Sequence, residues 1–195
     1  MIASGLFVGL SGCLGDTDQD DNEQGDDTDV NNEDSDVSPA EPAEFPADAS
    51  CAVCNMKPAE HPPWNAQLVT DDDNQVFFCS PGCLLAYTVD PGRFGGDDTP
   101  LAYVWVTEFE SEDFIDGMEA VYLAVNDPNH IDDIMMMNPI PFSSESDAED
   151  LRSRLNEEYD SGYTSEDIIG FSDFDHELAQ RYRGDFFNNG GHNHD

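Results

Sequence analysis

Ala66-Gln67-Leu68-Val69-Thr70-Asp71-Asp72-Asp73-Asn74-Gln75-Val76-Phe77-Phe78-Cys79-Ser80-Pro81-Gly82-Cys83 is the stretch that decides the fold. Two runs rich in apolar residues, 66–70 and 75–79, flank four polar turn formers, which is the pattern of an antiparallel hairpin. Ser80 then offers a side-chain cap and Pro81 a first-turn proline, so a helix is expected over 82–89. Leu84, Leu85 and Thr88 fall on its inner face, and Asp90-Pro91-Gly92 ends it. A strong strand follows at 102–107.

Working outward, the second half repeats this order. Residues 120–125 read as a strand, and 139–142 as a short one whose two prolines push it towards an edge. Ser143-Ser144-Glu145 caps a helix over 146–159, with Ala148, Leu151 and Leu155 at helical spacing. Ile168 and Ile169 form a last strand, and 173–183 a terminal helix. The expectation is an α+β domain over 48–187, built from two tandem ββαβ-like halves and long enough for a single core. The repeat lies in element order alone, since the halves share no motif.

The chain ahead of this domain is of another kind. Residues 1–12 are apolar but too few to span a bilayer, which needs about 20, so they read as a signal peptide. The basic region expected before such a run is missing, which points to a start downstream of the true one. Leu10-Ser11-Gly12-Cys13 resembles a lipobox, with Cys13 the lipidated N-terminus. Residues 13–47 then form a linker, acidic and disordered at first because it lacks the apolar surface to offset ordering entropy, then proline-rich at Pro39, Pro42 and Pro46. Residues 188–195 read as a flexible tail. The layout of lipid, acidic tether and domain is that of an extracytoplasmic lipoprotein attached to the cell membrane.

Charge narrows the function classes. The 195 residues carry 44 Asp and Glu against 6 Lys and Arg, a formal net charge of −38. Nucleic-acid binding through a basic patch is excluded, as is attraction to anionic lipid headgroups. Self-repulsion on this scale calls for a salt-rich, halophilic setting that screens it. No G-x-G-x-x-G, P-loop, H-E-x-x-H or nucleophile-elbow pattern occurs, and nothing favours an enzyme.

The chemistry sits in sulfur. Cys51-x-x-Cys54 and Cys79-x-x-x-Cys83 are two close pairs with tetrahedral metal-ligand spacing, although an oxidising compartment also allows two disulfides. Met56 adds a thioether, and thiolate with thioether selects Cu(I). Met135, Met136 and Met137 follow His130 in what reads as a loop, where they are either further soft ligands or packing. His61 reads as a surface residue before a turn, His192 and His194 belong to the tail, and His176 has no assigned role.

Cys51-x-x-Cys54-Asn55-Met56, His61-Pro62-Pro63-Trp64-Asn65-Ala66-Gln67, the acidic turn, Val76-Phe77-Phe78 and Tyr103-Val104-Trp105-Val106 together resemble the signature of the NosL family, in a haloarchaeal form. The resemblance runs from Ser50 to about Asp175. It implies two ββαβ halves and a copper-binding lipoprotein that supplies Cu(I) outside the cytoplasm. The implied partner is nitrous oxide reductase or another copper-accepting protein. On it, Cys51, Cys54 and Met56 are the expected site, with His130 and the loop of Met135, Met136 and Met137 around it. The family pattern does not require Cys79 and Cys83, which resemble half of a treble-clef metal knuckle. A structural zinc at that pair, or a four-thiol copper site, stays open. Two other readings are a thiol–disulfide factor using Cys51 and Cys54, and a zinc-stabilised interaction module.

Overall fold

The computed structural model describes residues 41–188. The leader, Cys13, most of the 13–47 linker and the tail from 189 onwards lie outside the described residues. The hairpin forms as expected from β1 (Ala66–Thr70) and β2 (Gln75–Phe78), with Ala66 opposite Phe78 and Leu68 opposite Val76. β3 (Leu101–Thr107) pairs antiparallel with β1 on its other side, setting Val104 opposite Leu68 and Val106 opposite Ala66. Side chains alternate along a strand, so Ala66, Leu68, Phe78, Val104 and Val106 share one buried face.

The opposite face carries Gln67, Phe77 and Trp105, and the chain before Asp48 already packs near it. Gln67 is fully buried, and its amide is paired with the backbone of Ala43 through two hydrogen bonds of 3.0 and 2.9 Å. Phe45 meets the rings of Phe77 and Phe114 at 5.1 and 6.0 Å. Phe114 belongs to a strand not anticipated from sequence, β4 (Phe114–Asp116), which extends the sheet to the order β2-β1-β3-β4. Its three residues show too little alternation to be read alone; pairing with β3 makes it a strand.

A second sheet holds β5 (Val121–Ala124), β6 (Pro139–Phe142) and β7 (Ile168–Gly170) in the order β6-β5-β7, all antiparallel. Pro139 and Pro141 sit on an edge strand, where a missing N–H costs no ladder bond. In each sheet the first of three ladder strands lies between the second and third. α2 (Glu145–Tyr159) is capped by Ser144, and turns Ala148, Leu151 and Leu155 into a core with Leu123, Ile140 and Phe142.

α1 (Pro81–Val89) departs from the amphipathic expectation, because every residue from Pro81 to Tyr87 is buried. One side packs on the first sheet through Leu84 and Ala86. The other is covered by α3 (His176–Asn188), whose Ala179 and Tyr182 enclose Leu85. A helix apolar all round needs such a second cover, and each buried leucine is worth about 1.5–3 kcal/mol. α3 itself breaks at Arg183, whose φ of −135° and ψ of 31° are not helical, just before Gly184.

Candidate metal centre

Residues 51–54 form a tight turn laid along β2. The N–H of Ala52 donates to the carbonyl of Phe77 at 3.1 Å, and that of Cys51 to the carbonyl of Met56 at 2.7 Å. Asn55 closes the turn with a positive φ of 65°, a conformation that asparagine tolerates better than most residues. Cys79 follows the end of β2, and Cys83 sits in the first turn of α1, where the Ser80 hydroxyl accepts its N–H. Turn, strand end and helix start thus bring four sulfurs together.

All four lie within 4.8 Å of one another. Cys54 Sγ is 3.3 Å from Cys79 Sγ, which is 3.8 Å from Cys83 Sγ. A tetrahedral site with metal–sulfur bonds of about 2.3 Å sets its sulfurs about 3.8 Å apart, so the donor set fits a thiophilic ion. The thiols are free, with Cys51, Cys79 and Cys83 buried and Cys54 half-buried. The Cys83 thiol is held well below its usual range, first by a hydrogen bond from Cys51, then by those from Cys54 and Cys79, with help from the charge of Arg183. Cys54 is lowered by hydrogen bonds from Cys51 and Cys79. Cys51 and Cys79 are pushed up, first by hydrogen bonds with Cys54 and Cys51 respectively, with burial adding to both.

Arg183 is the residue that sequence reasoning missed. Its side chain, 2% exposed, donates from Nε to Cys83 Sγ at 3.1 Å. The one available signal was its place four residues after buried Ala179, on the covered face of α3.

The methionines divide. Met56 and Met135 pack against the core that contains Cys51, Cys79 and Cys83. Met137 packs between α1 and α3, and Met136 is 67% exposed. These three form a loop, as expected, with the Met135 N–H on a carboxylate oxygen of Asp133 at 2.7 Å. His130 does not join the thiols. Its Nδ1 lies 2.8 Å from the hydroxyl of Tyr163, and its ring packs on Tyr159.

The NosL family's sequence pattern matches residues 42–157, well over half of the chain. The chain belongs to the NosL family. Its fold is similar to that in the crystal structure of the copper chaperone NosL from Shewanella denitrificans, with a TM-score of 0.54 at 19% identity. That match covers 70% of this chain and 97% of the other. No curated protein matches. NosL proteins are not enzymes, and neither is this chain. In this chain the Cys54-Asn55-Met56 segment sits on a thiol cluster completed by Cys51, Cys79 and Cys83.

Proposed function

We propose that this NosL-family chain is an extracytoplasmic Cu(I) metallochaperone, anchored to the membrane by a lipid on Cys13. The observation that carries the metal is the convergence of four free thiols within 4.8 Å, with Met56 and Met135 packed against the same core. Thioethers beside thiolates favour Cu(I) over borderline-soft zinc. Transfer would be ligand exchange, beginning at Cys54, the least buried of the four cysteines, and ending on softer or more numerous ligands of a copper-accepting protein such as nitrous oxide reductase. On this reading the two sheets are tandem ββαβ halves, and the acidic segment before them is a tether in a halophilic, haloarchaeal protein. The mass of the mature N-terminus tests the anchor: an unmodified Cys13 in membrane-prepared protein would remove it.

A second reading is favoured by the burial of three of the cysteines: a closed four-thiol zinc site that stabilises the fold. Redox chemistry at Cys51 and Cys54 has less support, because reactive C-x-x-C pairs open a helix and these lie in a turn. Metal content after anaerobic, reducing purification separates copper from zinc. Titration against a chromophoric Cu(I) chelator then tests the ligands with wild type, Cys51→Ser and Met56→Leu. The serine variant should lose most of the affinity, and the leucine variant should weaken it while keeping the fold, since it preserves volume and removes the sulfur. Equal affinity in all three proteins would sink the copper site.

A further inference from the structure

We infer that Arg183 is the counter-cation of the four-thiol centre, a positioning residue that lets the cluster hold a metal as a net-negative thiolate complex. This rests on the reading that these cysteines bind a metal, but not on which metal.

A guanidinium has five N–H donors, and here each has an acceptor. Nε donates to Cys83 Sγ at 3.1 Å. Nη1 donates to the carbonyls of Met137 at 3.0 Å and Tyr182 at 2.6 Å. Nη2 donates to the Ser80 hydroxyl at 2.7 Å and to Asn138 Oδ1. The side chain therefore has one orientation, reaching back about a hundred residues to the first turn of α1 and tying it to the methionine loop. Gly82 makes room for it, since a Cβ there would lie 2.6 Å from Nη2.

Hydrogen bonds do not remove the charge. A buried cation is costly unless an anion stands against it. None of the ion pairs among the described residues involves Arg183, although the Asp133 carboxyl lies close enough to feel it. The guanidinium also lies at the N-terminal end of α1, where the helix dipole repels cations. Both costs fall once the sulfur on Nε is anionic, as it is when it ligates a metal. Four thiolates carry −4, so either Zn(II) or Cu(I) leaves the cluster negative and Arg183 offsets one unit of that charge. In a chain with only six basic residues, one is spent inside the fold and against this cluster.

The test compares wild type, Arg183→Gln, Arg183→Lys and Gly82→Ala, each reduced, metal-free and checked for folding by circular dichroism. Competitive titrations with Cu(I) alone and with Zn(II) alone give the affinities. Co(II) substitution reports the sulfur-to-metal charge-transfer band. The glutamine variant should lose about 10- to 100-fold in affinity for both ions, the usual effect of removing a partner that hydrogen-bonds a ligand. Its Co(II) band should move to lower energy, because the N–H bond that stabilises the sulfur lone pair is gone. Lysine keeps the charge and loses the fork, and should recover a large part of the affinity, which a purely structural clamp would not allow. Gly82→Ala pushes the fork off Cys83 and should resemble the glutamine variant. The inference is overturned if Arg183→Gln, or Gly82→Ala where the former does not fold, binds both ions as tightly as wild type with an unmoved band. Wild type that takes up neither ion on its cysteines would instead overturn the metal-centre reading, and this inference with it.

Discussion

Met136 holds a left-handed backbone, with φ of 71°, and still exposes two-thirds of its side chain to solvent. For a residue with a Cβ that conformation costs roughly 1–2 kcal/mol, and an exposed methionine recovers little of it by burial. Strain kept where packing gains little points to use of the side chain itself. Met136→Gly separates the two contributions. Glycine relieves the strain but enlarges the entropy of the unfolded chain, so stability should be unchanged or rise by up to about 1 kcal/mol in denaturant titration. If the thioether helps to capture Cu(I), the same variant should bind it more weakly in competition with a chromophoric chelator. Unaltered Cu(I) affinity would return Met136 to an ordinary surface residue. Met135 makes the contrast, since its side chain already packs on the core around the thiols.

Glu108 links elements that come from different parts of the chain. It follows β3, and its carboxylate accepts the Ser143 N–H at 2.8 Å and the Ser143 hydroxyl at 2.5 Å, just ahead of α2. The Ser111 hydroxyl donates to its other oxygen, and the N–H of Phe109 donates to the carbonyl of Pro141 at 3.1 Å. The hydroxyls of Ser111 and Ser143 hold the Glu108 carboxyl below its usual range. A lowered folded pKa means the bridge stabilises the fold above the ordinary carboxylate pKa and is lost as pH falls through the folded value. Glu108→Gln should therefore cost roughly 1 kcal/mol near pH 7, a modest figure because the bridge is solvent-screened, and the gap to wild type should close as pH falls through that lowered folded value. A pH-independent difference in chemical denaturation would show that packing, not charge, makes the link. Elements of this kind were legible in sequence where their cause is local. Alternation marks β1 to β3, a serine cap and proline mark α1, and close cysteine spacing marks the four thiols that come together. β4 was not legible because its three residues are a strand only when β3 is beside them. Nor was the cover of α1 by α3, or Arg183 on Cys83, contacts that join residues about a hundred positions apart.

For the whole molecule, charge dominates. Among the described residues Arg93 pairs with Asp90, Arg154 with Glu110 and Arg181 with Glu177, while Arg183 is spent in the interior. So few cations leave most of the 44 acidic side chains unpaired, and folding draws those of the described residues closer than the unfolded chain does. Salt screens that repulsion, and the Debye length falls from about 10 Å at 0.1 M to about 3 Å at 1 M. Thermal unfolding in KCl should accordingly show a midpoint that rises by several degrees, since each 1 kcal/mol is worth about 2–4 °C in a chain of this size. The shape of the rise distinguishes its cause. Screening acts mainly below about 1 M and then saturates, whereas strengthened apolar burial grows on through the molar range. A steep early rise followed by a plateau identifies carboxylate repulsion as the term that salt removes. A steady climb to about 3 M would assign the effect to burial instead, and a flat or falling midpoint would refute the halophilic reading of this chain.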